Sequence, residues 1–194
     1  YPEKRLCGAV VALKLVTALY EACGIPEKEL EDFLELGAIA TVGDVMDLQG
    51  ENRILVKEGL KRLSHTFNKG LRELIRANGP ITAYHVGFVL GPCINASGRL
   101  DTAARSLKLL CAETEDEAAK LAGDLTALNQ SRKALTEEGK EAAIRIVEET
   151  EIGQDRVLVI YLPDCHESLA GIIAGRIREK YNKPVFVLTK GETM

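Results

Sequence analysis

Apolar residues recur at helical spacing through most of the chain. The pattern predicts a buried helix over 7–22, which Gly24 ends, and a second helix over 27–36 that Pro26 opens at its first position. The longest helical pattern covers 114–149, starts with a capping-box sequence, and is expected to connect two domains. Shorter helices are predicted over 53–63 and 102–110.

The pattern changes after Gly153. The apolar run 156–162 predicts a strand buried on both faces, a helix follows over 168–181, and 184–189 predicts a second buried strand. Strand, helix and strand at this spacing form a βαβ crossover and hence a parallel sheet. The predicted fold class is therefore α/β, with a mainly helical first part, a long connecting helix and the first βαβ unit of a second α/β domain.

Composition and charge limit what the chain can bind. Aromatic residues make up only 5%, which argues against a base-stacking platform as the main binding device. With 25 basic and 29 acidic residues, the net charge of −4 provides no global positive field for nucleic acid. The five cysteines include no C-x-x-C pair, which favours free thiols in a reducing cytoplasm. No apolar run approaches the ~20 residues of a membrane helix.

The first candidate for chemistry is Asp44, a carboxylate that follows the small and β-branched residues 37–43. A carboxylate at the end of such a buried segment is either a helix cap or a ligand for a divalent cation. The residue and its neighbours alone leave both interpretations open.

The second candidate is the segment 91–99, which is rich in Gly, Pro, Asn and Ser and is predicted to be an ordered loop. We expect Asp101 to cap the helix that follows it. Small residues allow a ligand to approach the backbone, and Arg99, with Asn95 nearby, is suited to bidentate phosphate contacts. The alternative is an interdomain loop in which Arg99 pairs with a carboxylate.

The third candidate is the segment 163–176, which follows the first predicted strand. Ligands bind at the C-terminal ends of strands in parallel sheets. The segment then enters a helix, whose N-terminus attracts anions. Ser168 is expected to cap this helix or contact phosphate. His166 is expected to touch substrate, although a surface-loop histidine is the alternative. A Cys165–His166 nucleophile is disfavoured because adjacent loop residues diverge. Arg176 belongs to a modest positive patch, which a solvated helix face explains equally well.

Together these segments resemble the RecJ group of the DHH phosphoesterase family, nearly end to end. The segment 36–45 is similar to the family's fourth motif, whose metal-binding Asp falls at Asp44 here. The segment 91–99 resembles RecJ's Asn-Ala-Ala-Gly-Arg loop, and 166–176 resembles the opening of the DHH-associated domain. The implied domains are 1–112 (C-terminal part of the DHH domain), 113–152 (long connecting helix) and 153–194 (start of the DHH-associated, substrate-binding domain).

The resemblance implies a metal-dependent 5′–3′ exonuclease for single-stranded DNA in DNA repair and recombination, located in the cytoplasm. Two Mn²⁺ or Mg²⁺ ions would generate the nucleophile and stabilise developing charge. Asp44 would hold one ion, Arg99 would neutralise the scissile phosphate, and Asn95 would orient it. The residues implied in substrate binding are Asn95, Arg99, His166, Ser168 and Arg176. Single-stranded DNA is the implied partner, with a helicase and a single-strand-binding protein as further candidates.

The chain departs from the family pattern at several points. Cys93 stands where RecJ proteins often carry Arg, and Ser97 replaces the usual Ala. The Asp-x-Asp, lone Asp and Asp-His-His motifs are absent and would lie before Tyr1, and both ends of the chain resemble cuts. The chain holds about one of the ligands of a two-metal site, so we expect it to be inactive alone.

Two alternatives to the exonuclease stay open. One is a DHH-family phosphatase that acts on oligoribonucleotides or small nucleotides, against which the long helix and the segment 95–99 argue. The other is a catalytically silent nucleic-acid-binding scaffold, which the presence of Asp44 disfavours because a scaffold needs no metal ligand.

Overall fold

The chain is mainly helical with a small parallel sheet. The computed structural model describes residues 1–76 and 81–191, and its contacts divide the chain into two compact units. Unit 1 comprises Tyr1–Asn95 and Ala103–Thr126, and unit 2 comprises Ala96–Thr102 and Ala127–Met194. The α/β fold class predicted from the sequence is confirmed. The three-part domain division drawn from the resemblance stays a prediction.

Unit 1 consists of helices packed around a small aliphatic core. Val10 and Leu13 of the first helix pack with Ala38 of the second and with Leu55 and Val56 of the third. The elements, in chain order, are α1 (Gly8–Cys23), a 3-10 turn (Glu27–Leu30), α2 (Phe33–Gly43), α3 (Gly50–Leu63), α4 (Lys69–Leu74), α5 (Ala83–His85), a π segment (Val86–Leu90), the start of α6 (Gly91–Leu100), α7 (Ala104–Leu110) and the first part of α8 (Glu115–Glu149).

The predicted helix over 27–36 is divided in the structure. A 3-10 turn covers Glu27–Leu30, and α2 starts at Phe33 and continues to Gly43. The small residues after Leu36 therefore lie inside a helix, which is apolar on several sides because it is buried against its neighbours. Such a helix has weak periodicity, and its boundaries are hard to recognise from the sequence.

The segment 91–99 is helical, so the prediction of a loop was wrong. Ala96 and Ser97 are fully buried, and burial of this kind overrides the weak helix propensity of Gly, Asn and Ser. Pro92 cannot donate to the carbonyl four residues before it. The preceding π segment accommodates this missing hydrogen bond, since the Gly91 N–H donates to the Val86 carbonyl five residues back.

The helix after this segment also differs from its prediction. α7 starts at Ala104 rather than at 102, and its N-cap is Ala103, not Asp101. By contrast, the start of α8 contains the Thr114 half of the predicted capping box, while the Glu117 side chain bonds the residue before the N-cap. The Thr114 hydroxyl accepts the Glu117 N–H at 3.2 Å, and the Glu117 carboxylate accepts the Glu113 N–H at 3.3 Å.

Unit 2 contains the predicted βαβ arrangement. The end of α6 and the remainder of α8 are followed by a 3-10 turn (Glu151–Gln154), β1 (Leu158–Tyr161), α9 (Glu167–Tyr181) and β2 (Val185–Leu188). β1 and β2 pair in parallel, with Leu158 opposite Val185 and Tyr161 opposite Leu188. The core of this unit is formed by Ala143, Val147, Leu158, Ile160, Leu162, Leu169, Ile173 and Ile177.

The strands are not buried on both faces as predicted. In β1, Leu158 and Ile160 are fully buried, whereas Val159 and Tyr161 are 49% and 55% exposed. In β2, Val185 and Val187 are half-buried, whereas Phe186 and Leu188 are exposed. A continuous apolar run is compatible with a strand that has one or two covered faces, and in the part of the chain that the structure describes one face of this sheet is covered.

We predict that Gly59→Ala destabilises the protein. A Cβ at position 59 of α3 would lie 2.4 Å from the Cβ of Ala38 and 2.6 Å from the carbonyl oxygen of Leu34, both in α2. Two helix backbones would have to separate, at a cost of about 1–3 kcal/mol. Urea unfolding of the protein that carries this chain measures the effect.

Gly123→Ala provides the matched control for Gly59→Ala. Gly123 lies in α8, is exposed, and its Cβ would meet nothing within 4 Å. The same substitution is therefore expected to stabilise by roughly 0.5–1 kcal/mol. A Gly59→Ala protein that unfolds at or above the urea midpoint of the unmodified protein would show that α2 and α3 are not in close contact.

Candidate functional site

Asp44 lies at the C-terminal end of α2. The Val45 N–H donates to the Val42 carbonyl at 3.1 Å, and the Met46 N–H donates to the Thr41 carbonyl at 3.0 Å. This pair of bonds is the Schellman motif, which terminates a helix and turns the chain. Asp44 is therefore the C-cap residue, and the alternative in which it caps a helix N-terminus does not hold.

The surroundings of the Asp44 carboxylate favour a cation. The C-terminus of a helix is the negative end of its dipole, so a carboxylate there is unfavourable unless a positive charge is close. Asp44 is exposed, and no group in residues 1–76 and 81–191 donates a hydrogen bond to its carboxylate or forms an ion pair with it. Its oxygens are available to an external ligand.

Asp44 and Asn95 line the same pocket of unit 1, which has a volume of about 320 Å³. Asn95 lies in α6 and is exposed, so its side-chain amide is accessible from the pocket. The sequence indicated these residues separately, and the structure brings them together. The other residues that line the pocket are small or apolar: Ala9, Leu36, Ile39, Ala40, Gly43, Gly91, Ile94 and Leu110.

The pocket offers part of a divalent-cation site. A carboxylate and an amide oxygen are hard donors of the kind that Mg²⁺ and Mn²⁺ accept. Across the described residues, however, no group of three or more His, Cys, Asp or Glu side chains could hold a metal ion. The chemistry of Asp44 and Asn95 fits such an ion, while their number falls short of a complete ligand set.

Arg99, Ser168 and His166 form a hydrogen-bonded cluster within unit 2. Arg99 Nη1 donates to the Ser168 carbonyl at 2.9 Å, and Ser168 Oγ donates to the Arg99 carbonyl at 2.9 Å. His166 is the N-cap of α9, with Nδ1 2.7 Å from Ser168 Oγ and 3.3 Å from the Ser168 amide nitrogen. The alternative in which Arg99 pairs with a carboxylate finds no support among the described residues.

This cluster creates a local positive field. The N-terminus of α9 is the positive end of its dipole, and Arg99 is bonded to its first turn. Nε and Nη2 of Arg99 have no partner among the described residues, and the side chain is exposed. A guanidinium edge beside a helix N-terminus is an arrangement that binds phosphate or carboxylate.

Arg176 lies outside this cluster. It is on the exposed side of α9, about two turns beyond Ser168, and its Nη1 is 3.4 Å from the Glu179 carboxylate. Lys180, four residues further along the same face of α9, pairs with Glu148 at 3.1 Å. Hydrogen bonds from Lys180 and Tyr181 lower the pKa of Glu148. The predicted positive patch is thus partly neutralised by acidic neighbours.

A second pocket of unit 2, about 460 Å³ in volume, lies beside His166 at the C-terminal end of β1. Its lining includes Glu138 and Arg145 of α8, which the sequence did not single out because charged residues on a long polar helix face carry no signal of their own. Cys165 also lines it. Burial raises the pKa of the Cys165 thiol, which donates to the His166 carbonyl rather than to the imidazole, so a Cys–His nucleophile is absent from this pair.

No protein-family model matches the chain. The single-stranded-DNA-specific exonuclease RecJ of Dickeya dadantii is 35% identical over 202 residues, which cover 95% of this chain and 35% of that protein. A crystal structure of Thermus thermophilus RecJ with Mg²⁺ has a TM-score of 0.85 and 38% identity, covering 98% of this chain and 30% of that one.

A crystal structure of exonuclease RecJ bound to manganese is also similar. Its TM-score is 0.86 at 36% identity, and the match covers 97% of this chain and 48% of that one. The chain is therefore similar to RecJ proteins over nearly its whole length. It spans about a third of the length of the first curated relatives that it matches.

The backbone next to Asp44 is strained. Val45 has a φ of 54°, in the left-handed region that β-branched residues rarely adopt, and its side chain is 87% exposed. α1 ends in the same motif, where the residue at this position is Gly24, with a φ of 67°. The sequence identified Gly24 as a helix end and could not identify Val45, because valine does not signal a left-handed conformation.

We predict that Val45→Gly stabilises the protein by about 1 kcal/mol, since a left-handed residue with a Cβ costs roughly 1–2 kcal/mol and little buried surface is lost. The reverse change, Gly24→Val, is the matched control and is expected to destabilise by a similar amount. Thermal unfolding measures both variants. A lower melting temperature for Val45→Gly would show that this turn differs from the one at the end of α1.

Proposed function

We propose that the protein carrying this chain is a RecJ-type exonuclease that hydrolyses phosphodiester bonds of single-stranded DNA from the 5′ end, using Mn²⁺ or Mg²⁺. The observation that carries the proposal is the free Asp44 carboxylate beside Asn95 in the pocket of unit 1. Relatives named single-stranded-DNA-specific exonuclease, and RecJ structures with Mg²⁺ and with manganese, support it.

Asp44 is proposed as a ligand of one divalent ion, with Asn95 orienting the scissile phosphate in the same pocket. The metal ions, when bound, supply an activated water and neutralise charge that develops on the phosphate. Because no second carboxylate joins Asp44 in this pocket among the described residues, the complete site requires further ligands. This requirement agrees with the expectation that the chain is inactive alone.

Arg99 is proposed to neutralise the scissile phosphate of the strand, with His166 and Ser168 as further members of this DNA-binding cluster. Support comes from the free guanidinium edge of Arg99 and from the dipole of α9. Arg176 contributes to strand binding more weakly. Its exposed pair with Glu179 is worth about 0–1 kcal/mol, so a phosphate can displace the glutamate.

The setting of the protein is also part of the proposal. None of the helices in the part of the chain that the structure describes has the length and hydropathy to cross a membrane. The described cysteines are free thiols, which supports a reducing cytoplasm. A helicase and a single-strand-binding protein stay predicted partners on the basis of the family resemblance alone.

We predict that Asp44→Asn lowers Mn²⁺-dependent nucleotide release from 5′-labelled single-stranded DNA by about 100-fold or more in the complete protein. Loss of partners that merely support a metal ligand already costs 10–100-fold, so loss of a ligand is expected to reach at least the upper end. Asp47→Asn is the matched control. Asp47 is an exposed neighbour outside the pocket, and its variant is expected to retain activity.

Substrate length separates the exonuclease from the alternatives. A DHH-family phosphatase would act on dinucleotides and oligoribonucleotides while leaving long single-stranded DNA intact. A silent scaffold would bind DNA without releasing nucleotides under any metal condition. Equal activity of Asp44→Asn and the unmodified protein on long DNA would remove Asp44 from the metal site.

A further inference from the structure

Ser168 occupies an unusual position for a residue proposed to contact phosphate, because its carbonyl and its hydroxyl are already engaged within the protein. Its carbonyl accepts from Arg99 Nη1 and its hydroxyl donates to the Arg99 carbonyl, each at 2.9 Å. One residue therefore holds both the side chain and the backbone of Arg99. Ser168 is also half-buried, whereas Arg99 is exposed.

We infer that Ser168 is a positioning residue, which fixes the Arg99 guanidinium for phosphate, and that His166, protonated at Nδ1, holds Ser168 in this role. The inference rests on the proposed binding of phosphate by Arg99 and changes the role of Ser168 from contacting DNA to orienting the residue that does. Nothing in the proposal requires the Ser168 hydroxyl to touch substrate.

The geometry of Arg99 supports this role. An arginine that contacts a phosphate through two N–H groups needs a free edge in a fixed orientation. Nη1 is held by the Ser168 carbonyl, which leaves the Nε–Nη2 edge available. Fixing one end of the guanidinium before the ligand arrives removes part of the ordering cost of a flexible side chain.

The hydroxyl proton of Ser168 has two candidate acceptors. Oγ is 2.9 Å from the Arg99 carbonyl oxygen and 2.7 Å from His166 Nδ1, and one proton cannot serve both. If Nδ1 carries a proton, Nδ1–H donates to Oγ and the hydroxyl donates to the Arg99 carbonyl, so both short contacts are hydrogen bonds. A bare Nδ1 leaves one short contact between two acceptors.

The competing arrangement is weaker. A bare Nδ1 would accept the Ser168 hydroxyl at 2.7 Å and the Ser168 amide N–H at 3.3 Å, and the 2.9 Å contact of Oγ with the Arg99 carbonyl oxygen would then lack a proton, so a 2.9 Å bond is exchanged for a 3.3 Å bond. The protonated form makes a continuous chain from His166 through Ser168 to the Arg99 backbone, and bonds in such a chain strengthen one another. His166 then acts as an anchor of the chain, and its Nδ1 no longer accepts the Ser168 N–H at the start of α9.

The tautomer of His166 is measurable by ¹⁵N NMR of histidine-labelled protein, with His166→Asn to assign the signals. The inference expects a protonated Nδ1. A resonance typical of a bare Nδ1 would overturn the role of His166, since the hydroxyl would then have to choose between its two acceptors.

Single substitutions in the complete protein are the first test of the positioning role of Ser168. Ser168→Ala is expected to lower kcat for nucleotide release about tenfold and to leave the Mn²⁺ concentration dependence unchanged, because misplacement of a positioned group reduces rate without removing the metal ligand. Ser168→Thr keeps the hydroxyl and is expected to restore activity to within about twofold. Ser131→Ala, at an exposed position of α8, is the matched control.

The decisive measurement is Ser168→Ala in an Arg99→Lys background. A residue that acts only through Arg99 has no further effect once the arginine is gone. If the two losses multiply, or if Ser168→Ala acts only by lowering the melting temperature, the positioning role is wrong. A different result, activity retained by the Asp44→Asn variant, would contradict the proposed function. The two experiments therefore distinguish an error in the positioning role from an error in the proposed function.

Discussion

The contact of α2 with α3 at Gly59 is the constraint on which the unit 1 site depends. Because position 59 has no side chain, the Leu34 carbonyl and Ala38 of α2 approach the α3 backbone directly. That contact fixes the axis of α2 within the unit and therefore the point at which the helix ends. Asp44 is located by this end, and the surrounding small residues leave the pocket that it shares with Asn95.

The two helix termini that carry the candidate residues have opposite electrostatic character. Asp44 lies at the negative end of α2, where an unpaired carboxylate is stabilised by a cation. Arg99 is hydrogen-bonded to the first turn of α9, which is the positive end of that helix. The guanidinium charge and the helix dipole together attract an anion. The local electrostatics of each unit thus favour one kind of ligand, a cation beside Asp44 in unit 1 and an anion beside Arg99 in unit 2.

The sequence predicted the features that depend on interactions between residues close together in the chain. The end of α1 at Gly24, the start of α8 at Thr114 and the βαβ unit all follow from capping, turn chemistry and periodicity. The features that tertiary packing decides were missed. α6 is a helix because Ala96 and Ser97 are buried, in spite of a loop-like composition.

The sequence predicted which residues belong to the candidate site, but not how they are arranged in space. Asp44, Asn95 and Arg99 were identified by type and by family resemblance. The placement of Asp44 and Asn95 in one pocket, and the hydrogen bonds between Arg99 and Ser168, depend on segments that are far apart in sequence. The left-handed conformation of Val45 could not be predicted from the residue type. The Schellman turn and the packing around Met46 impose this backbone conformation in spite of its strain.

The departure at Cys93 gives the Arg99–Ser168 pair additional weight. The family resemblance leads us to expect arginine at this position, whereas here the side chain is a buried thiol, so no cation is available from it. Arg99 is then the one basic residue of the segment 91–100. In the proposed phosphate-binding role of Arg99, the orientation of this single cation matters more than it would among several, because no neighbour compensates for a misplaced guanidinium. A serine that holds Arg99 at two points meets that need without adding charge.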